Sequence, residues 1–78
     1  MKCIIIEDQA PARRIIQKYV TDLGNLELIG SFSTAIEGVE FLKNESVDLI
    51  FLPMELHFPL RLWQERWHVS WKQIQRKL

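Results

Sequence analysis

The sequence has few residues that cross-link a chain, break its regular structure or anchor it in a membrane. Its 78 residues include one cysteine, three glycines and three prolines. A single cysteine, Cys3, excludes the internal disulfide framework that is typical of small secreted domains. No apolar run approaches the roughly 20 residues that a membrane-spanning helix needs, and the apolar start is too short for a signal peptide. We therefore expect a cytoplasmic protein and no membrane association.

Charge of both signs is present, but it is unevenly distributed. Residues 1–55 hold nine acidic and five basic residues, whereas residues 56–78 hold one acidic and five basic residues. All three tryptophans fall in the second part, which contains no glycine. Such a break predicts two segments, a domain-like residues 1–56 and a divergent, basic, tryptophan-rich tail at residues 57–78.

Apolar patterning in the first segment predicts strands and helices in alternation. The three predicted strands are short apolar runs at residues 2–6, 26–30 and 48–52. The first is a continuous β-branched run, which is typical of a strand buried on both faces of a parallel sheet. Helical spacing runs from Pro11 to Gly24, and Thr34 with Glu37 forms a capping-box pattern before a second helix. The order β-α-β-α-β predicts parallel pairing with right-handed crossovers.

Acidic residues follow the first predicted strand. In open α/β sheets, ligands bind at the carboxyl ends of the strands, and Glu7 and Asp8 stand at such an end. Paired carboxylates suit a hard divalent cation such as Mg²⁺. Taken alone, however, the pair also fits a solvated loop that stabilises the start of the next helix.

The wider pattern favours the first interpretation. An apolar strand ends in Glu7 and Asp8, Ala12 and Arg13 open an apolar helix, and two further apolar strands follow in order. This arrangement resembles the front half of the receiver domain of bacterial two-component response regulators, in particular receivers coupled to LytTR-type DNA-binding domains. The resemblance covers residues 1 to about 56. It implies a truncated flavodoxin-like (CheY-like) parallel sheet.

The resemblance assigns roles to residues at the sheet edge. It implies that Glu7, Asp8 and the backbone carbonyl of Glu55 hold Mg²⁺, and that position 53 accepts a phosphoryl group. That position is Pro53, which has neither a carboxylate to attack phosphorus nor a side-chain oxygen for a metal. We therefore expect no phosphorylation, no catalytic residue and no enzymatic activity, and only weak Mg²⁺ binding.

A second departure from the family lies beyond residue 56. By the resemblance, a complete receiver has five β-α units, and its fourth and fifth strands bring a hydroxyl residue and a lysine to the site. The sequence pattern predicts neither strand here. We therefore expect half a sheet whose third strand lies at an edge.

The tail carries a pattern of its own. Its large apolar residues recur at spacings of three and four, at Leu60, Trp63, Trp67, Trp71, Ile74 and Leu78. This spacing predicts an amphipathic helix that begins at Pro59. The helix could cover the open side of the half-sheet, or it could bind a membrane surface or a partner. The tail could also result from a shifted reading frame. It is too short and too apolar to predict contact with nucleic acid.

Three hypotheses for function follow. The first is a degenerate receiver of two-component phosphorelay signalling, which binds a histidine kinase or another receiver through its first helix. The second is a non-functional fragment or frameshifted product of a LytTR response regulator. The third is a small interaction protein that acts through residues 59–78.

Overall fold

The computed structural model describes residues 1–53 and 70–74, and it describes the backbone alone for Pro53 and residues 70–74. The described chain contains four strands and two helices: β1 (Lys2–Ile6), α1 (Ala10–Leu23), β2 (Glu27–Phe32), α2 (Ala35–Leu42), β3 (Leu49–Pro53) and β4 (Ser70–Ile74). The strands pair in the order β2-β1-β3-β4, and every described pairing is parallel. The predicted β-α-β-α-β order and the parallel sheet are confirmed.

Strand β1 is buried on both faces, as its continuous apolar run predicts. Ile4 and Ile6 belong to a core cluster that packs against α2, whereas Cys3 and Ile5 belong to a second cluster under α1. Alternate residues of a strand point to opposite faces, so one apolar strand supplies both cores. The two helices therefore cover opposite faces of the sheet.

Local signals in the sequence set the ends of the helices. Pro11 lies in the first turn of α1, and Gly24 ends that helix with a left-handed φ of 75°. The backbone N–H of Glu37 donates to the Thr34 hydroxyl oxygen at 3.2 Å, which caps α2. The Glu37 carboxylate accepts from the hydroxyls of Thr34 and Ser33, each at 3.0 Å. The threonine half of the predicted capping box is therefore confirmed, whereas the glutamate accepts from two side-chain hydroxyls where a backbone donor was expected.

The tail differs from its prediction. Residues 70–74 form β4, which pairs with β3 from Leu49 opposite Ser70 to Pro53 opposite Ile74. The expected amphipathic helix is wrong over these five residues, and β3 does not lie at an edge of the sheet. Helical spacing indicates what a segment would form by itself. Residues 70–74 form a strand because the open edge of β3 offers backbone hydrogen bonds to a neighbouring strand. The rest of the predicted helix, residues 59–69 and 75–78, lies outside the described residues.

Neither α1 nor α2, the helices found in the described ranges, is long and apolar enough to cross a membrane.

Candidate functional site

The carboxyl edge of the sheet brings three of the four sequence-predicted site positions together, namely Glu7, Asp8 and Pro53. β1 pairs with β3 in a register that sets Ile4 opposite Ile50 and Ile5 opposite Phe51. The same offset, continued by two residues, places Glu7 level with Pro53. The acids that follow β1 therefore adjoin the position that the receiver resemblance assigns to the phosphoryl acceptor.

Glu7 is held in place from three directions. Its side chain is fully buried, and its backbone N–H donates to the carbonyl of Phe32 in β2 at 2.9 Å. Its Oε1 accepts from the backbone N–H of Gln9 at 3.1 Å. Its own carbonyl accepts from Nη1 of Arg13 in α1 at 2.8 Å. Strand, loop and helix thus fix this acid at the sheet edge, whereas Asp8 beside it is exposed to solvent.

The guanidinium of Arg13 adds a positive charge to the same edge. Arg13 stands in the first turns of α1, half-buried, and its hydrogen bond to the Glu7 carbonyl ties the helix start to the end of β1. The family pattern includes Arg13 at the start of the helix but predicts no role for it. Its contact with the strand end could be found only from the folded chain.

Pro53 ends β3 within the ladder. Its Cα partner on β4 is Ile74, so the proline is the last residue of a strand that has neighbours on both sides. A proline at a strand end is tolerated because it lacks only the backbone N–H. Its pyrrolidine ring offers no carboxylate, and its remaining polar group is the backbone carbonyl. The edge therefore has two adjacent acids, Glu7 and Asp8, with a proline level with the first of them.

The donor set of the described residues does not by itself make a metal site. Glu7 and Asp8 contribute two carboxylates, while Mg²⁺ prefers near-octahedral coordination by six oxygens. Within residues 1–53 and 70–74, no group of three or more His, Cys, Asp or Glu residues could hold a metal ion. Glu55, the third ligand implied by the resemblance, lies outside the described residues. Weak Mg²⁺ binding stays a prediction.

Strand β4 was not predicted from the sequence, and its hydroxyl residue lies at the end of the strand away from Glu7 and Pro53. Ser70 begins the strand opposite Leu49, four residues before Ile74 at the site edge. Four residues of strand span about 13 Å. By position, Ser70 therefore cannot take the role that the resemblance gives to the hydroxyl of the fourth strand.

Comparisons with known proteins give the same picture. The chain is 32% identical over 56 residues to protein MrkE of Klebsiella pneumoniae, and 30% identical over 56 residues to the transcriptional regulatory protein YpdB of Escherichia coli K12. Each match covers 72% of this chain but only 21% and 23% of those relatives, so the chain spans less than a quarter of their length. No family model matches the chain.

A solved structure supports the receiver fold. It is described as the MaeR response regulator bound to beryllium trifluoride, and it superposes with a TM-score of 0.82 at 21% identity, covering 100% of this chain and 69% of that one. The resemblance to receivers that was drawn from the residues is confirmed. This chain has the response regulator receiver fold and is related in sequence to bacterial transcriptional regulators.

Proposed function

We propose that this chain is a receiver module of two-component signalling that acts without being phosphorylated. The observation that carries the proposal is Pro53, which ends β3 level with the buried acid Glu7. The receiver fold supports a place in two-component signalling, and the substitution at its edge supports a role that depends on binding.

The chemistry of phosphoryl transfer explains why Pro53 matters. In a receiver, a carboxylate oxygen forms a bond to phosphorus while the bond from phosphorus to the histidine nitrogen of the kinase breaks. The carbonyl oxygen of a proline is an amide oxygen, which carries no full negative charge and is a poor nucleophile. The module therefore forms no acyl phosphate at this position and has no enzymatic activity of its own.

A module of this kind acts through the proteins that it binds. A histidine kinase or another receiver is the class of partner that the fold supports, and α1 is the element through which we propose that it docks. This role places the chain in the cytoplasm, where kinases of two-component systems present their phosphohistidine.

A phosphorylation assay tests the proposal. The purified chain is incubated with acetyl phosphate and Mg²⁺, and its intact mass is measured beside a receiver that has an aspartate at the acceptor position. We expect the control to gain one phosphoryl group and this chain to gain none. A stoichiometric, hydroxylamine-labile phosphoryl group on this chain would overturn the proposal, and peptide mapping would then identify the acid that carries it.

A further inference from the structure

Helix α1 has a second apolar row that the core does not use. Ile16 and Val20 are buried against the sheet, whereas Ile15, Tyr19 and Leu23 are 70%, 61% and 47% exposed. Residues four apart lie above one another on a helix, so these three side chains form one continuous stripe. We call Ile15, Tyr19 and Leu23 the α1 stripe.

A charged row runs beside the α1 stripe. Arg14, Lys18 and Asp22 each precede one residue of the stripe, and all three are exposed. The row lies on the side of the stripe away from Ile16 and Val20. Along the helix its charges are positive, positive and negative, so the two ends of the row carry opposite charges.

We propose that the α1 stripe binds the α1 stripe of a second copy of this chain in an antiparallel pair. The proposal rests on the proposed function, since it names the other receiver as the chain itself. Centred on Tyr19, such a pair sets Ile15 of each copy beside Leu23 of the other. In an antiparallel helix pair, each flank faces the same flank of the other copy.

Charge complementarity favours a second copy of the chain as the partner of the α1 stripe. In the centred pair, Asp22 of one copy lies level with residue 16 of the other, midway between Arg14 and Lys18. Each Asp22 therefore meets two cations, which gives four attractive contacts per pair. The opposing contact is that of Lys18 with its own counterpart. A self-complementary patch of this kind is what a two-fold symmetric interface requires.

The size of the patch sets the expected strength. α1 has 14 residues and is about 21 Å long. Three apolar side chains from each copy bury less surface than a standard protein–protein interface. The dimer is therefore weak, and it forms at micromolar or higher concentrations of the chain.

Sedimentation analysis of the full 78-residue chain over a wide concentration range tests the proposal. We expect the average mass to rise from monomer towards dimer, and Ile15→Ser to raise the dissociation constant by roughly tenfold or more. Ile36→Ser is the matched control, because Ile36 on α2 is 75% exposed and lies outside the stripe. The control should dimerise like the parent chain. Circular dichroism of both variants checks that the fold is retained.

A charge exchange tests the antiparallel geometry. Asp22→Lys makes the whole row positive, so we expect it to weaken the dimer. Because a cation suits the last turn of a helix, the substitution should not destabilise the monomer. Adding Arg14→Glu and Lys18→Glu to Asp22→Lys reverses every charge, and this triple variant should dimerise again.

The outcomes separate this inference from the proposed function. A mass that stays monomeric at every concentration, an equal loss in the Ile36→Ser control, or a triple variant that stays monomeric would each overturn the dimer. A kinase that binds the monomer through Ile15 would also overturn the proposal, because the α1 stripe would then bind the kinase and not a second copy of the chain. None of these results would give the chain a phosphoryl acceptor, which the mass assay measures independently.

Discussion

At the scale of single residues, a proline ends β3 level with two adjacent acids at the sheet edge. Glu7 is already buried there, and Asp8 is its exposed neighbour. Carboxylates placed together repel one another unless a cation compensates them. Because proline has no carboxylate, position 53 adds no further negative charge to these two acids, so we expect the residue there to affect stability as well as chemistry.

Restoring the acid separates these two effects. We expect Pro53→Asp to bind Mg²⁺ more tightly than the parent chain but not to accept a phosphoryl group from acetyl phosphate. A third carboxylate improves the donor set for a hard cation, whereas the hydroxyl residue Ser70 stays at the far end of β4. The measurements are thermal melts with and without Mg²⁺, and intact mass after treatment with acetyl phosphate.

Pro53→Asn is the matched control for this experiment, because asparagine has nearly the same shape as aspartate but carries no charge. Its melting temperature should not respond to Mg²⁺, while that of the aspartate variant should rise by several degrees. Phosphorylation of the aspartate variant would show that the remaining site is sufficient for chemistry.

Cys3 makes the stability of the fold depend on pH in the alkaline range. Burial within the sheet raises the pKa of the Cys3 thiol above its ordinary value of 9.0, since desolvation disfavours the thiolate. The unfolded chain therefore loses this proton at lower pH than the folded chain. The stabilising contribution is complete below pH 9, and it is lost as the pH rises through the folded-state pKa.

We expect Cys3→Ala to be less stable at neutral pH because it leaves a small cavity in the core. Above pH 9 its free energy of unfolding should fall less steeply than that of the parent chain. Urea denaturation at a series of pH values measures both slopes. Identical slopes would show that the thiol does not titrate differently in the two states.

At the scale of elements, β2 is shaped by a glycine. Its register with β1 shifts between Cys3 and Ile4, which are opposite Leu28 and Gly30, so one residue of β2 is bulged. A Cβ built on Gly30 would lie 2.8 Å from two ring carbons of Phe32. That ring also packs on Phe41, with centroids 5.1 Å apart, so it has little freedom to move away.

Gly30→Ala should therefore destabilise the fold by about 1–3 kcal/mol, the usual cost of overpacking a filled site. The measurement is urea denaturation followed by circular dichroism. Phe32→Leu provides the control, because a smaller side chain leaves room for the new methyl group. In the Phe32→Leu background, Gly30→Ala should lower the free energy of unfolding by less than it does in the parent chain. If the effects of the two substitutions simply add, the steric explanation is contradicted.

At the scale of the whole molecule, β4 turns a three-stranded half-sheet into a four-stranded sheet with β1 and β3 inside. β3 pairs with β1 over residues 49–51 and with β4 over residues 49–53. Without β4, the apolar run of β3 would be an edge strand, which is a hazard for aggregation. The small size of the chain leaves little stability in reserve.

We expect the chain shortened after residue 69 to aggregate and to lose its cooperative unfolding transition, because it lacks the whole of β4. The chain shortened after residue 74 keeps β4 and should unfold with a urea midpoint close to that of the full chain. Denaturation curves and light scattering compare the three forms. If the full chain itself unfolds without a cooperative transition, the hypothesis of a non-functional fragment gains support over that of a receiver module.

The sequence alone determined the elements whose signals are local. A continuous apolar run specified β1, the spacing from Pro11 to Gly24 specified α1, and Thr34 with Glu37 marked the start of α2, because capping, turn chemistry and burial act within a few residues. The order of these elements was enough to predict parallel pairing, and the resemblance to receivers was enough to predict that Glu7 and Pro53 follow neighbouring strands at one edge of the sheet.

Only the tertiary structure decided the features that depend on distant partners. Residues 70–74 have helical spacing, yet they form β4, because a strand's stability comes from the neighbour with which it pairs and not from its own pattern. The contact of Arg13 with Glu7 and the exposure of the α1 stripe also follow from packing. Periodicity marked Ile15, Ile16, Tyr19 and Val20 alike as apolar, and only the position of the helix on the sheet separated the buried row from the open one.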